Sequence, residues 1–142
     1  MENKRYFKEV APEPVAYYCY GILTRFCAKH SEVLKTDVHG SSQVVAATLQ
    51  SPRGNLTLYI LNESTNEQGA TIEISGLDKP RTSYRYRVTD SKVTQTGFGL
   101  NPESKMLLST ERFSLKDKLP PLSITVFSTY KLSHSDPGLI AE

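Results

Sequence analysis

The sequence predicts a mainly β protein: an antiparallel β-sandwich of about seven or eight strands, preceded by one amphipathic N-terminal helix. Three observations carry this expectation. A single segment near the start has helical spacing of its apolar residues. From residue 32 onward the pattern changes to short runs of period two, rich in Val, Thr, Ile and Tyr. Turn signals built from Gly, Pro, Asn and Ser separate these runs every 8–12 residues or so, as in a sandwich.

The helix is expected over residues 14–29, PVAYYCYGILTRFCAK. Val15, Tyr18, Ile22 and Phe26 form the apolar stripe, and Cys19, Leu23 and Cys27 widen it. Pro12 and Pro14 lie where a helix can begin, because the first turn needs no amide donor. Gly21 lowers helix propensity by about 1 kcal/mol relative to Ala, which suggests close packing against another element. Cys19 and Cys27 would be separated by about 12 Å of helical rise, too far for a disulfide. They read as small buried apolar side chains, with a reactive thiol as the alternative.

The strands follow in order. Residues 32–38 and 43–50 are Val- and Thr-rich and are separated by His39-Gly-Ser-Ser. The turn signal Ser51-Pro-Arg-Gly-Asn55 precedes residues 55–61, where Leu56, Leu58 and Ile60 alternate with Thr57, Tyr59 and Leu61. In residues 70–75 Ile72 and Ile74 alternate with polar neighbours. Residues 83–88 place Tyr84, Tyr86 and Val88 on one face, with Arg85 and Arg87 on the other. Residues 105–114 make a weaker strand around Met106, Leu107, Leu108 and Phe113. The closing strand covers residues 124–130, after Leu119-Pro-Pro-Leu-Ser. The expected organisation is an N-terminal segment over 1–31, a sandwich over 32–132 and a flexible tail over 133–142.

Length and composition set outer bounds on function. A chain of 142 residues with 38% hydrophobic and 23% charged residues suits one globular domain. The net charge of +2 is spread along the chain without a basic stripe, so no nucleic-acid partner is expected. No apolar run approaches the roughly 18 residues of a membrane span, so no membrane partner is expected either. The charged opening Met1-Glu-Asn-Lys-Arg5 leads into no apolar segment, and no secretory signal is expected in this chain.

The sequence carries little reactive chemistry. His30, His39 and His134 fall in or beside loops, outside any nucleophile-elbow or zinc-binding pattern. Glu32, Glu63, Glu67, Glu73, Glu103 and Glu111 fall on polar strand faces or in polar loops, where solvation explains them. Gly97-Phe-Gly99 reads as a tight turn rather than a phosphate cradle. No metal or other cofactor is expected. Arg85 and Arg87 could grip a carboxylate or sulfate bidentately, or simply form a charged outer face. Tyr59 is a further candidate ligand contact. Tyr84 and Tyr86 could stack on a sugar ring, but sharing a face with Val88 they read rather as core. The absence of Trp counts against a flat sugar-binding platform. Asn55-Leu-Thr57 and Asn62-Glu-Ser64 match the N-glycosylation acceptor pattern, which matters only in a eukaryotic secretory setting.

The order of the elements resembles a known family. The stretch Pro12-Glu-Pro-Val-Ala-Tyr-Tyr-Cys-Tyr-Gly-Ile-Leu-Thr-Arg-Phe26, then Ser31-Glu-Val-Leu34, resembles the last barrel helix and exit strand of retaining glycoside hydrolases. In that clan, which includes arabinofuranosidase-, xylosidase- and heparanase-like enzymes, a (β/α)8 barrel is followed by a C-terminal β-sandwich. Gly54-Asn-Leu-Thr-Leu-Tyr-Ile-Leu-Asn62 is similar to a sandwich strand that ends in Asn, and Ile72-Glu-Ile-Ser-Gly-Leu77 to the strand after it. Leu119-Pro-Pro-Leu-Ser-Ile-Thr-Val-Phe127 is similar to the closing strand. The resemblance covers residues 12 to 132. It implies a non-catalytic accessory domain that supports a catalytic barrel, because no position matches either catalytic glutamate of the clan. It also implies that the barrel is a partner, and it is compatible with a secreted or periplasmic parent. A polysaccharide is a second expected partner, and self-association through a sheet edge or the aromatic helix a third. Two other readings stand beside it: an independent carbohydrate-binding module, and an immunoglobulin- or fibronectin-like interaction domain.

Overall fold

The computed structural model describes residues 14–93 and 99–132. The N-terminal residues 1–13, most of the expected Gly97–Gly99 turn and the expected tail 133–142 lie outside the described residues.

Helix α1 spans Pro14–Arg25 and is followed by eight strands, all paired antiparallel: β1 Glu32–Leu34, β2 Val44–Gln50, β3 Leu56–Asn62, β4 Gln68–Ile74, β5 Arg81–Val88, β6 Ser104–Leu108, β7 Phe113–Leu119 and β8 Ser123–Ser128. A single turn of helix, α2 Asp90–Val93, follows β5. Its first turn is capped by the Thr89 hydroxyl, which accepts from the Lys92 amide at 3.3 Å. Six strands form one sheet in the order β1-β2-β3-β8-β5-β6, and β4 and β7 form a second. The fold is therefore the expected antiparallel sandwich with a helix before it. No helix among the described residues is long and apolar enough to cross a membrane.

Alternation along the strands splits the interior into two layers. On one face of the large sheet Tyr86, Val88, Ile124 and Val126 pack with Ile22, Phe26, Leu100 and Leu132. On the other face Ile60 and Phe127 pack with Ile72 and Leu119 of the small sheet. Strand β8 lies at the centre and is buried at every residue, because α1 covers one face and the β4–β7 pair the other. The Phe26 ring tilts against Tyr86 with centroids 4.9 Å apart.

Several local expectations change. The helix stops at Arg25, four residues short of Lys29. The Cys27 amide turns back to the Thr24 carbonyl at 3.3 Å, and His30 adopts a left-handed φ of 64° that swings the chain into β1. The expected stripe is buried unevenly among the described side chains. Ile22 and Phe26 enter the core, Cys19 is half-buried against it, and Leu23 and Cys27 are exposed. Cys27 is therefore not the buried apolar residue expected from spacing, because the sheet touches a narrower face of the helix than the sequence offers. Gly21 sits beside Leu100, but an added Cβ would lie 3.7 Å from it, an ordinary contact. The expected strand over 105–114 is two strands on different sheets, β6 and β7, and the expected 32–38 strand shortens to three residues.

Asn62, at the end of β3, locks the approach to β8. Its side chain is buried. Its Nδ2 lies 2.9 Å from the Pro120 carbonyl, 3.1 Å from that of Asn66 and 3.2 Å from that of Leu119, while its Oδ1 accepts from the Ser64 amide at 2.9 Å. The Ser64 carbonyl in turn accepts from the Leu122 amide at 2.9 Å and holds Leu122 at a left-handed φ of 48°. The glycosylation pattern at Asn62 is thus occupied by structure.

Asn62→Ala leaves a buried carbonyl cluster without its donor and should destabilise the fold by about 2 kcal/mol, read from denaturant melts. Glycan mapping after expression in a secreting eukaryotic host should find Asn62 unmodified. A pH effect follows from the tyrosines. Burial raises the Tyr86 phenol to about 12, and burial with nearby Cys27 raises Tyr59 as well. The unfolded chain releases these protons near pH 10 while the folded chain keeps them, so stability present below pH 10 should fall as pH rises through 10 to 12. Tyr86→Phe should flatten that decline in thermal melts.

Candidate functional site

The three sequence-derived candidates do not converge on one site. Arg85 and Arg87 alternate onto the face of β5 that meets the small sheet, whereas Tyr59 lies on the opposite face of the large sheet, towards α1. Neither arginine stands on an open outer face. Arg87 is buried: its Nη2 donates to Asp117 Oδ2 at 2.6 Å and its Nε to the Thr125 hydroxyl at 3.0 Å. Arg85 Nη1 donates to Asp117 Oδ1 at 3.0 Å, and its Nη2 lies 3.5 Å from Glu103 Oε2. Glu103 also pairs with Lys92. The carboxylate that this arginine pair grips is the chain's own. Tyr59 donates its hydroxyl proton to the Leu23 carbonyl at 2.9 Å, which pins the end of α1 to β3.

Nothing in the local sequence marks Asp117 as a buried residue, and the reason is physical. It occupies an inward position of β7, between Leu115 and Leu119, where a strand pattern leads one to expect an apolar residue. With lysines at 116 and 118 the run reads as a polar loop. The one available signal was the Arg85/Arg87 pair itself, since two arginines on one inward strand face require a buried anion.

Among the described residues, the α1 side of the large sheet has an open surface at each end. At one end of the sheet, register places Val45, Ala47 and Leu49 of β2 on the same face as Leu61 and Tyr59, with Val33 of β1 beside Leu49. Val33 is 77% exposed and Val45 49%; Tyr20 and Leu23 on α1 are 73% and 47% exposed. At the other end, Tyr84, Pro102, Glu103, Ser104, Lys105 and Lys131 line a shallow depression of about 290 Å³. Lys131 Nζ lies 5.8 Å from the centre of the Tyr84 ring. Among the described residues no group of three or more His, Cys, Asp or Glu side chains is placed to hold a metal ion.

Removal of the shared carboxylate tests the arginine network. Asp117→Ala leaves Arg87 buried and uncompensated and should cost about 3–5 kcal/mol in denaturant melts. Combining Arg87→Met with Asp117→Leu removes both charges and should recover most of that loss.

No family model matches the sequence, and no curated protein matches it. Among solved structures the chain is similar to a GH30 endoxylanase from Clostridium papyrosolvens C71, with 12% identity and a TM-score of 0.47 over 69% of this chain and 23% of that one. It is also similar to the catalytic domain of GH30 xylanase C from Talaromyces cellulolyticus, with 17% identity and a TM-score of 0.45 over 68% and 19% of the respective chains. The chain thus spans about a fifth of the length of the structures it matches.

Proposed function

We propose that this chain is a non-catalytic accessory β-sandwich of a glycoside hydrolase, which supports a catalytic (β/α)8 barrel through α1 and the adjoining apolar strip. The observation that carries the reading is that strip. Val33 and Val45 on the sheet, and Tyr20 and Leu23 on the helix, stand exposed on the face that α1 covers only in part. Large apolar side chains gathered on one face mark an interaction surface more often than a solvated one. The ordered resemblance of helix, Asn-ending strand and Leu-Pro-Pro strand to the sandwich that follows a barrel in this clan supports the identity of the partner. The packing of α1 along the sheet also favours this reading over an immunoglobulin-like module, which would leave the N-terminal segment as a free arm.

The test has two parts. Assays of this chain on aryl glycosides and on xylan should show no turnover, and turnover abolished by a single glutamate substitution would overturn the proposal. The coding sequence upstream of Met1 should encode about 300 residues of alternating strands and helices with two strand-end glutamates. An unrelated neighbouring gene with no such reading frame would count against the barrel.

A further inference from the structure

We propose that the depression at the β5–β6 end of the large sheet is a binding subsite for a carboxylate-bearing sugar of an acidic polysaccharide. This does not rest on the accessory role, since it concerns the opposite end of the sheet from the apolar strip.

The chemistry of the lining points to that class. Tyr84 and Lys105 are register partners on neighbouring strands, so the lysine rises from the same face as the ring. Lys131, just after β8, extends over the ring from the other side. Both lysines are exposed, and neither has a carboxylate partner among the described residues. The nearby cations Arg85 and Lys92 are, in contrast, committed to Asp117 and Glu103. Lys131 over the Tyr84 ring and Lys105 beside it in the lining, neither ion-paired among the described residues, make the hollow locally positive and partly apolar. A lysine pair of this kind binds an anion as point charges rather than through a bidentate fork.

The rest of the lining narrows the anion. Glu103 keeps its carboxylate at the rim, held there by Arg85 and Lys92. That carboxylate opposes a compact dianion such as phosphate but accepts hydrogen bonds from sugar hydroxyls. The Tyr84 ring, half-buried against the core and with Lys131 over it, gives the hollow an apolar wall against which the CH edge of a pyranose can rest. A monoanion that carries several hydroxyls and an apolar ring face satisfies all of these groups, as a uronic acid residue does. The shallow shape suits one unit of an extended polymer better than an enclosed small ligand.

The experiment is a titration of the full chain, followed by amide chemical shifts, with trigalacturonate, cellotriose and sodium phosphate as separate probes. Trigalacturonate should saturate shifts at Tyr84, Ser104 and Lys105 with a dissociation constant on the order of millimolar, and added salt should weaken it. Lys105→Gln and Lys131→Gln should each weaken binding about tenfold with unchanged melting temperature, since both side chains are exposed. Tyr84→Leu should weaken it while Tyr20→Ser, on the far surface, should not. Equal binding of cellotriose, displacement of trigalacturonate by equimolar phosphate, or the absence of saturable shifts at these residues would each overturn the proposal.

Discussion

The fold depends on one carboxylate between its sheets. The β4–β7 pair is only two strands wide, and such a ribbon has too little apolar area to hold its position alone. Its inward face offers Ile72, Leu115 and Leu119 to the large sheet, and Asp117 sits in the same row. From there it reaches Arg85 and Arg87 on β5, two residues apart on one face. Apolar contacts alone tolerate sliding, whereas this contact does not. A one-residue slip of β7 would replace Asp117 by Lys116 or Lys118 opposite two guanidinium groups. The ion pairs are thus better understood as fixing register than as a large net source of stability, since desolvation of three charged groups offsets much of their attraction.

Fixed register on one side of the large sheet constrains the other. Because β5 and β8 pair directly, holding Arg87 towards the small sheet commits Tyr86 and Val88 to the helix side, opposite Val126 and Ile124. The Tyr86 hydroxyl then accepts from the Leu132 amide at 2.7 Å and ties down the stretch after β8. That stretch includes Lys131, so the cation over Tyr84 is placed by the same chain of contacts that begins at Asp117. The Asn62 cluster does the equivalent work at the other end of β8, where the Pro120-Pro121 lead-in has few amide donors of its own.

What could be read from the sequence follows from which residues obey their usual solvation. Strands β3, β5 and β8 carry clean alternation of apolar side chains, and their faces were legible residue by residue. Strand β7 was not, because a buried Asp between two surface lysines imitates a loop. The arginines of β5 read as outward-facing for the same reason: charged side chains are outside by default, and the buried exception is visible only with its partner. The helix reads as longer than it is because Phe26 and Ala28 are buried just beyond it, outside the helical backbone. Of the proposed subsite, Tyr84 and Lys105 are neighbours only through the β5–β6 register, and Lys131 arrives from a third segment. No local spacing encodes that juxtaposition.

The helix side of the large sheet therefore has two ends of different chemistry. The β1–β2 end is apolar and bare, whereas the β6 end sets Lys105, Lys131 and Tyr84 beside the exposed Leu107, with α1 lying between them. A partner that covers α1 would gain by extending over the apolar end, where burial of Val33, Val45 and Leu23 removes surface from water. It would gain nothing by covering Lys105 and Lys131 unless it brought anionic groups to them, since desolvating two unpaired ammonium groups is costly. The charge pattern thus favours an asymmetric footprint, displaced towards β1. An interface of that kind would leave the cationic end of the same face in water, at the margin of the contact rather than under it.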